Sequence, residues 1–268
     1  MTSFRSARLR PVASAVLVGI ASLGLLAGCA TPSAGGNAVT ASDISSAKVT
    51  DVGFLSAPGQ LKPSAAAGGA LCWRQAKVDW HRYDKVMFER IQVYLTPTPE
   101  QRAIDPTDLK TLVDYFHKAL VDNMRPVLPV VDKPGPGVLR VRIALTSLTP
   151  TNTTASMVGT AVPYGFIAEA GSGAASGRPA GSTPYMGQTG IQMQFRDGAT
   201  GQVMGECADS QIGLKYAADL KGSAPDAVKA WTNGYLSSFE SWTYAQDAFN
   251  KWAALFASRF AALRSGQA

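Results

Sequence analysis

The chain has little of what catalytic centres are usually built from. Its 268 residues include only two histidines, His81 and His117, and charged residues make up 16% of the total. No Gly-x-Ser-x-Gly elbow occurs, which excludes a serine hydrolase of that type. His-Glu-x-x-His and a Walker glycine loop are missing as well, so the zinc-protease and nucleotide-loop classes fall away. Cys72, Asp79 and His81 have no familiar metal-ligand spacing, and no second histidine lies near them. Asp197-Gly198 lacks the later acids of a calcium loop and reads as a hairpin turn. After residue 29 no apolar run approaches the ~20 residues needed to cross a bilayer. The sequence implies no metal and no cofactor, and two carboxylates facing across a cleft cannot be read from it.

What is present is concentrated at the start. Arg5, Arg8 and Arg10 precede an uncharged stretch from Val12 to Leu26, which ends in Leu26-Ala27-Gly28-Cys29. A basic start, a short apolar run and small residues before a cleavage point read as a secretory signal peptide over 1–28. The cysteine directly after Leu-Ala-Gly resembles the lipobox of bacterial lipoproteins. This resemblance implies that Cys29 receives a diacylglycerol thioether and becomes the acylated N-terminus, with the lipid bilayer as its partner. Each buried methylene contributes ~0.8 kcal/mol, so several acyl chains make a firm anchor. Ala30 in place of an aspartate implies sorting to the outer membrane, on its periplasmic face.

Residues 1–28 hold three arginines and no acid, which leaves a net charge of +3 where the whole chain has +6. That mild excess gives no reason to propose nucleic acid. With Cys29 lipidated, Cys72 and Cys207 remain in an oxidising compartment. They either form a disulfide or stay as two separate buried thiols.

Residues 29–50 are poor in apolar side chains and read as a flexible tether. Asp51 to Pro63 carries Phe54, Leu55 and Leu61 and reads as an ordered arm lying against the domain, with Ser64 to Ala70 as a second flexible patch. Residues 51–264 form one domain. In Val86 to Leu95 the alternation slips: Val86 and Phe88 share a face, and Ile91, Val93 and Leu95 resume one position late, which predicts a β-bulge near Glu89–Arg90. Asp105-Pro106 with Asp108 opens a helix whose stripe is Leu109, Leu112, Val113, Phe116, Leu120 and Met124. Val127 to Val131 is a short extended segment whose Pro129 suits an edge or a strand end. Strands follow with Leu139, Val141, Ile143 and Leu145 inward and Arg140, Arg142 and Thr146 outward. Ile191, Met193 and Phe195 then alternate before a turn at Asp197–Gly201 and a strand from Val203 to Ile212. Ala245, Phe249, Trp252, Phe256, Phe260 and Leu263 form the apolar face of a closing helix. The order predicts an α+β fold, a two-layer sandwich of a mixed, mostly antiparallel sheet with helices on one face.

The insertion over 149–184 carries an apolar island followed by a glycine-rich stretch. Met157, Val158, Val162, Tyr164, Phe166 and Ile167 are candidate contacts to a partner or to the bilayer surface if the island is exposed, with the glycine stretch as a hinge. The alternative is a short helix folded back on the core. Trp73, Trp80 and Trp231 are the aromatic side chains left over for stacking on sugars.

Several stretches together resemble the bacterial lipoproteins grouped as domain of unknown function 3313. They are Gly53-Phe54-Leu55-Ser56 with Leu61-Lys62-Pro63, Tyr83-Asp84-Lys85-Val86-Met87, Ile104-Asp105-Pro106, Asp114-Tyr115-Phe116-His117 with Ala119-Leu120, and Pro134-Gly135-Pro136-Gly137-Val138-Leu139-Arg140. The resemblance covers most of 51–262 and implies no catalytic residue. Cys72, Cys207 and the glycine-rich insertion depart from the family pattern. The expected function is a membrane-anchored, non-catalytic interaction or assembly module of the cell envelope, with an envelope protein or peptidoglycan as partner. The rival is a periplasmic protein that binds or hydrolyses cell-wall glycan.

Overall fold

A computed structural model describes residues 40–44, 49–95, 98–161, 169, 172–216, 224–237 and 240–267. The strands, in chain order, are β1 (Thr40–Ser42), β2 (Lys62–Pro63), β3 (Leu71–Arg74), β4 (Lys85–Phe88), β5 (Gln92–Val93), β6 (Val138–Thr149), β7 (Gln188–Asp197) and β8 (Val203–Gly213). The helices are α1 (Pro99–Arg102), α2 (Pro106–Met124), α3 (Thr153–Ala161), α4 (Ala224–Ser237) and α5 (Thr243–Arg264). The fold is α+β, and its one open sheet is mixed.

Three long antiparallel strands, β6, β7 and β8, make the centre of the sheet, and both of its edges are broken. On one edge β8 pairs antiparallel with β3 over Gly205–Ala208 and with β1 over Gln211–Gly213. On the other, β6 pairs parallel first with β4 and then with β5. Phe88 faces Val141 and Gln92 faces Ala144, so β4–β5 uses four steps where β6 uses three. The extra residue falls at the slip in the alternation and lets Phe88 and Ile91 both reach the core. Val93 lies at the outer margin and stays 37% exposed. Val130 bridges to Val86, which puts the short segment around Pro129 on the sheet's edge.

Helix α2 starts as its sequence dictates. The Asp105 carboxylate accepts from the Thr107 amide at 2.7 Å, and Pro106 occupies the first turn. Asp108 has a different partner: it accepts from Trp242 Nε1 at 3.0 Å and joins the start of α2 to the start of α5. These two helices cover one face of the sheet. Phe116 stacks on Phe249 at 4.5 Å between ring centres, and Phe195 of β7 stacks on Phe256 at 5.5 Å.

The other face is lined by polar and charged side chains and closed by the arm. Glu206 is fully buried there; its Oε1 accepts from the Ser56 amide and from Gln194 Nε2, each at 2.6 Å, and its Oε2 from the Ala57 amide at 2.9 Å. Gln192 Nε2 donates to the Thr50 carbonyl, and Phe54 lies under the Arg142 guanidinium at 4.9 Å. Arg140 and Arg142 both pair with Glu89. Outward therefore means covered, and Thr146 too is buried. Glu206→Ala would leave two backbone donors and an amide donor without their acceptor, each costing about 1–3 kcal/mol when buried. We expect a loss of about 2–4 kcal/mol in a urea melt, with new proteolytic cleavage within 50–61. Unchanged protease resistance would show that the arm is held by its apolar residues alone.

Two boundaries differ from the sequence reading. The tether assigned to 29–50 is interrupted by β1, because Thr40–Ser42 pairs with the part of β8 that extends past β3. Its hydrogen bonds come from the backbone, which a scan for apolar side chains does not register. Ser64 to Ala70 is ordered rather than flexible: Ala65–Ala67 forms a 3-10 turn, and Gly68 packs directly against Leu255 of α5.

Candidate functional site

A cavity of about 380 Å³ opens between the β3–β8 edge and the C-terminal half of α5. The sheet contributes Met193 and Phe195, and the helix contributes Leu255, Phe256, Phe260 and Leu263. Its origin lies in the lengths of the elements. β3 spans four residues, the chain leaves β8 after the Gln75 amide donates to the Met204 carbonyl at 2.9 Å, and α5 continues to Arg264. Part of the helix stripe therefore faces space instead of sheet.

Cys72 and Cys207 form one wall. They are directly opposed across β3 and β8, with Cα atoms 4.1 Å apart, and they are joined by a disulfide. The directly opposed register brings the two thiols together. Lys62, Arg74 and Arg259 lie around the cavity. Lys62 and Arg74 are exposed and Arg259 half-buried.

Among the described residues Asp209 is the one acidic side chain of the lining, and it is committed to a buried network. Its Oδ1 accepts from Ser42 Oγ at 2.6 Å, and its Oδ2 from Trp252 Nε1 at 2.7 Å and Gln211 Nε2 at 2.6 Å. Burial pushes its carboxyl up, against the pull of these donors and of Lys251. Burial also lowers Lys251, which donates to Gln211 Oε1 at 2.8 Å. This network ties β1 to β8 and α5. Sequence reasoning missed it, although Asp209 and Gln211 are polar at the inward positions of β8 and their pattern was the available signal.

A second titrating group lies near the start of α5. Burial raises Asp247 from the usual carboxylate range to about 6. A folded-state value above the unfolded one favours the neutral acid, so its stabilising effect is full below about pH 4 and is lost as pH rises through 6. Asp247→Asn should therefore be more stable than the wild type at pH 7, on the order of 1–2 kcal/mol once partial exposure is allowed for. The gap should close at pH 4 in paired denaturant melts. A gap of equal size at both values would contradict the assignment.

Two of the other sequence candidates, Trp73 and Trp80, also line this cavity, and the rest are scattered. Trp80 is half-buried, edge-on to Phe260 at 6.2 Å between ring centres, and Trp73 packs on the arm cluster with Leu61 and Leu71. Trp231 belongs to α4. His81 and His117 are exposed. Met157 is 55% exposed on α3, while its neighbour Ser156 is fully buried. Val158 lies in the same helix. Val162, Tyr164, Phe166 and Ile167, like Cys29 and the whole of 1–28, lie outside the described residues.

The insertion is fastened to the body by a lysine that sequence reasoning also passed over. Lys215 is fully buried; it donates to the Ser156 carbonyl at 3.0 Å, to the Glu169 carboxylate at 3.0 and 3.2 Å and to Tyr185 OH at 3.1 Å. Tyr216 OH also donates to Glu169. Nothing in the local sequence ties Lys215 to Glu169, which lies 46 residues away. Among the described residues no group of three His, Cys, Asp or Glu side chains could hold a metal ion, and no helix is long and apolar enough to cross a membrane.

The class defined by fold and site is an α+β domain with an open mixed sheet, helices on one face, an ordered arm on the other, and an apolar cavity at a shortened edge. The chain belongs to the family described as Protein of unknown function (DUF3313), whose model matches residues 50–256. No curated protein matches it. Among solved structures it is similar to the PelC dodecamer from Paraburkholderia phytofirmans, with 12% identity, a TM-score of 0.30 and coverage of 63% of this chain and 95% of that one. It is also similar to a DUF4136 family protein from Bacteroides thetaiotaomicron, with 12% identity, a TM-score of 0.29 and coverage of 72% and 97%.

Proposed function

We propose that this protein is a lipoprotein, anchored through acylated Cys29 to the periplasmic face of the outer membrane, and that it works there as a non-catalytic interaction module of the envelope. The observation that carries the reading is Leu26-Ala27-Gly28-Cys29 at the end of a short apolar run with a basic start. The character of the cavity supports a binding role. Its walls are apolar, its cations lie on exposed or half-buried positions, and its one acid is already engaged by three donors. An acid so occupied is poorly placed for general acid–base work, which needs a free site within reach of substrate.

Met157 supports the choice of contact surface. It stands out from α3 while the Ser156 carbonyl beside it is held by Lys215, so an apolar side chain is offered to a partner from a pinned helix. Val158, Val162, Tyr164, Phe166 and Ile167 are proposed as contacts of the same partner from the sequence alone.

Membrane fractionation and crosslinking in intact envelopes test it. Wild-type protein should sediment with outer membranes through a carbonate wash, and Cys29→Ala should remain an uncleaved, unacylated precursor. Met157→Glu should weaken a specific protein crosslink without lowering the melting temperature. If instead the protein co-sediments with insoluble peptidoglycan, and Trp73→Ala/Trp80→Ala abolishes this, the cell-wall glycan reading replaces the present one.

A further inference from the structure

We propose that the cavity between the β3–β8 edge and α5 binds an anionic single-chain amphiphile, with its acyl chain inside and its carboxylate or phosphate held by Arg74, Arg259 and Lys62. The inference concerns the folded domain and does not depend on the anchor at Cys29. At about 380 Å³ the space falls in the range of small-molecule sites, roughly 300–1,000 Å³. Its interior is lined by aliphatic and aromatic side chains such as Met193, Phe256 and Phe260. Such a lining offers an acyl chain dispersion contacts and removal from water along its length, whereas a sugar would find Trp73 and Trp80 to stack on but would lose the water on its hydroxyls without replacement.

The charge around the cavity selects the head group. Arg74 and Arg259 have no carboxylate partner among the described residues, and neither has Lys62. On the opposite face of the sheet, by contrast, Arg140 and Arg142 share Glu89. Asp209, the one acid of the lining among the described residues, has its carboxylate turned into the Ser42, Trp252 and Gln211 donors. Three cations around an apolar chamber with no free acid complement one anionic head on one chain. Guanidinium groups suit this task, since their donors fit carboxylate and phosphate oxygens in pairs. The disulfide and Ala67 of the turn at Ala65–Ala67, which Gly68 seats against Leu255 of α5, complete the lining.

The test is photo-labelling of the full chain in isolated membranes with a twelve-carbon fatty acid carrying a terminal diazirine, followed by mass mapping of the labelled peptides. Label should concentrate on the α5 segment that includes Leu255 and Leu263. Unlabelled dodecanoate should compete, dodecanol should compete at least tenfold less well, and affinity should rise about fourfold per added methylene until the chamber is full. Stronger competition by lysophosphatidylglycerol than by dodecanoate would identify the source as a lysolipid, and the reverse a free fatty acid; both support the proposal. Arg74→Glu/Arg259→Glu should reduce labelling at least tenfold with an unchanged melting temperature. Leu263→Trp, which narrows the chamber and keeps its cations, should reduce it as well.

Label spread over the surface, equal competition by dodecanol, or full labelling of both variants would overturn the proposal. So would labelling confined to Cys29→Ala, because the occupant would then be the chain's own anchor.

Discussion

Phe249→Ala is expected to destabilise the domain by about 3–5 kcal/mol, the cost of removing a large buried aromatic ring from a core that closes only partly around the gap. Phe249 has no exposed surface and stacks face to face on Phe116, which is also fully buried. Trp252 lies within 6.1 Å of the same ring. The residue thus sits where α2, α5 and the sheet meet, and its loss would loosen both helices together. Chemical denaturation with tryptophan fluorescence checks this through the midpoint at constant slope. Phe256→Ala should cost less than its size suggests, because Phe256 already borders the cavity and leaves less new void. Equal losses at the two positions would argue against the cavity.

The second large effect belongs to the disulfide. Cys72→Ser/Cys207→Ser should lower stability by about 2–5 kcal/mol, since the bridge closes a loop across a sequence separation of 135 residues. The loop-entropy model puts the ceiling near 5 kcal/mol for a closure of that length. The loss should be read from melts of the variant against the oxidised wild type. Reduction of the wild type should reproduce it, because both treatments free the same loop. A melting temperature unmoved by both would show that the ladder between β3 and β8 fixes this edge without the bond.

The parts of the fold legible in the sequence are those whose signals are local. Asp105-Pro106 opens α2, the strict alternation of Leu139 to Leu145 is β6, and the slip after Phe88 is the extra residue opposite β6. The stripe from Ala245 to Phe260 is core because its spacing matches one helical face. The ordered arm was also readable, from Phe54 and Leu61 standing among turn formers, and both are buried.

What the sequence withheld depends on the meeting of distant segments. β1 holds on through backbone pairing and through Ser42, which reaches Asp209 across 167 residues. Lys215 and Glu169 give no sign of each other until the insertion folds. The arginines of β6 read only as outward, because alternation reports sides of a strand and not what covers them. The cavity is still less visible. It arises where α5 runs on beyond the short β3, and each residue around it has, taken alone, the pattern of ordinary core or ordinary surface.

Whether Cys29 is the acylated N-terminus is decided by the mass of the N-terminal peptide from membrane-purified protein. The peptide should begin at Cys29 and carry a diacylglyceryl thioether together with an amide-linked acyl chain. A mature N-terminus at any other residue, or an unmodified Cys29, would contradict the anchored reading.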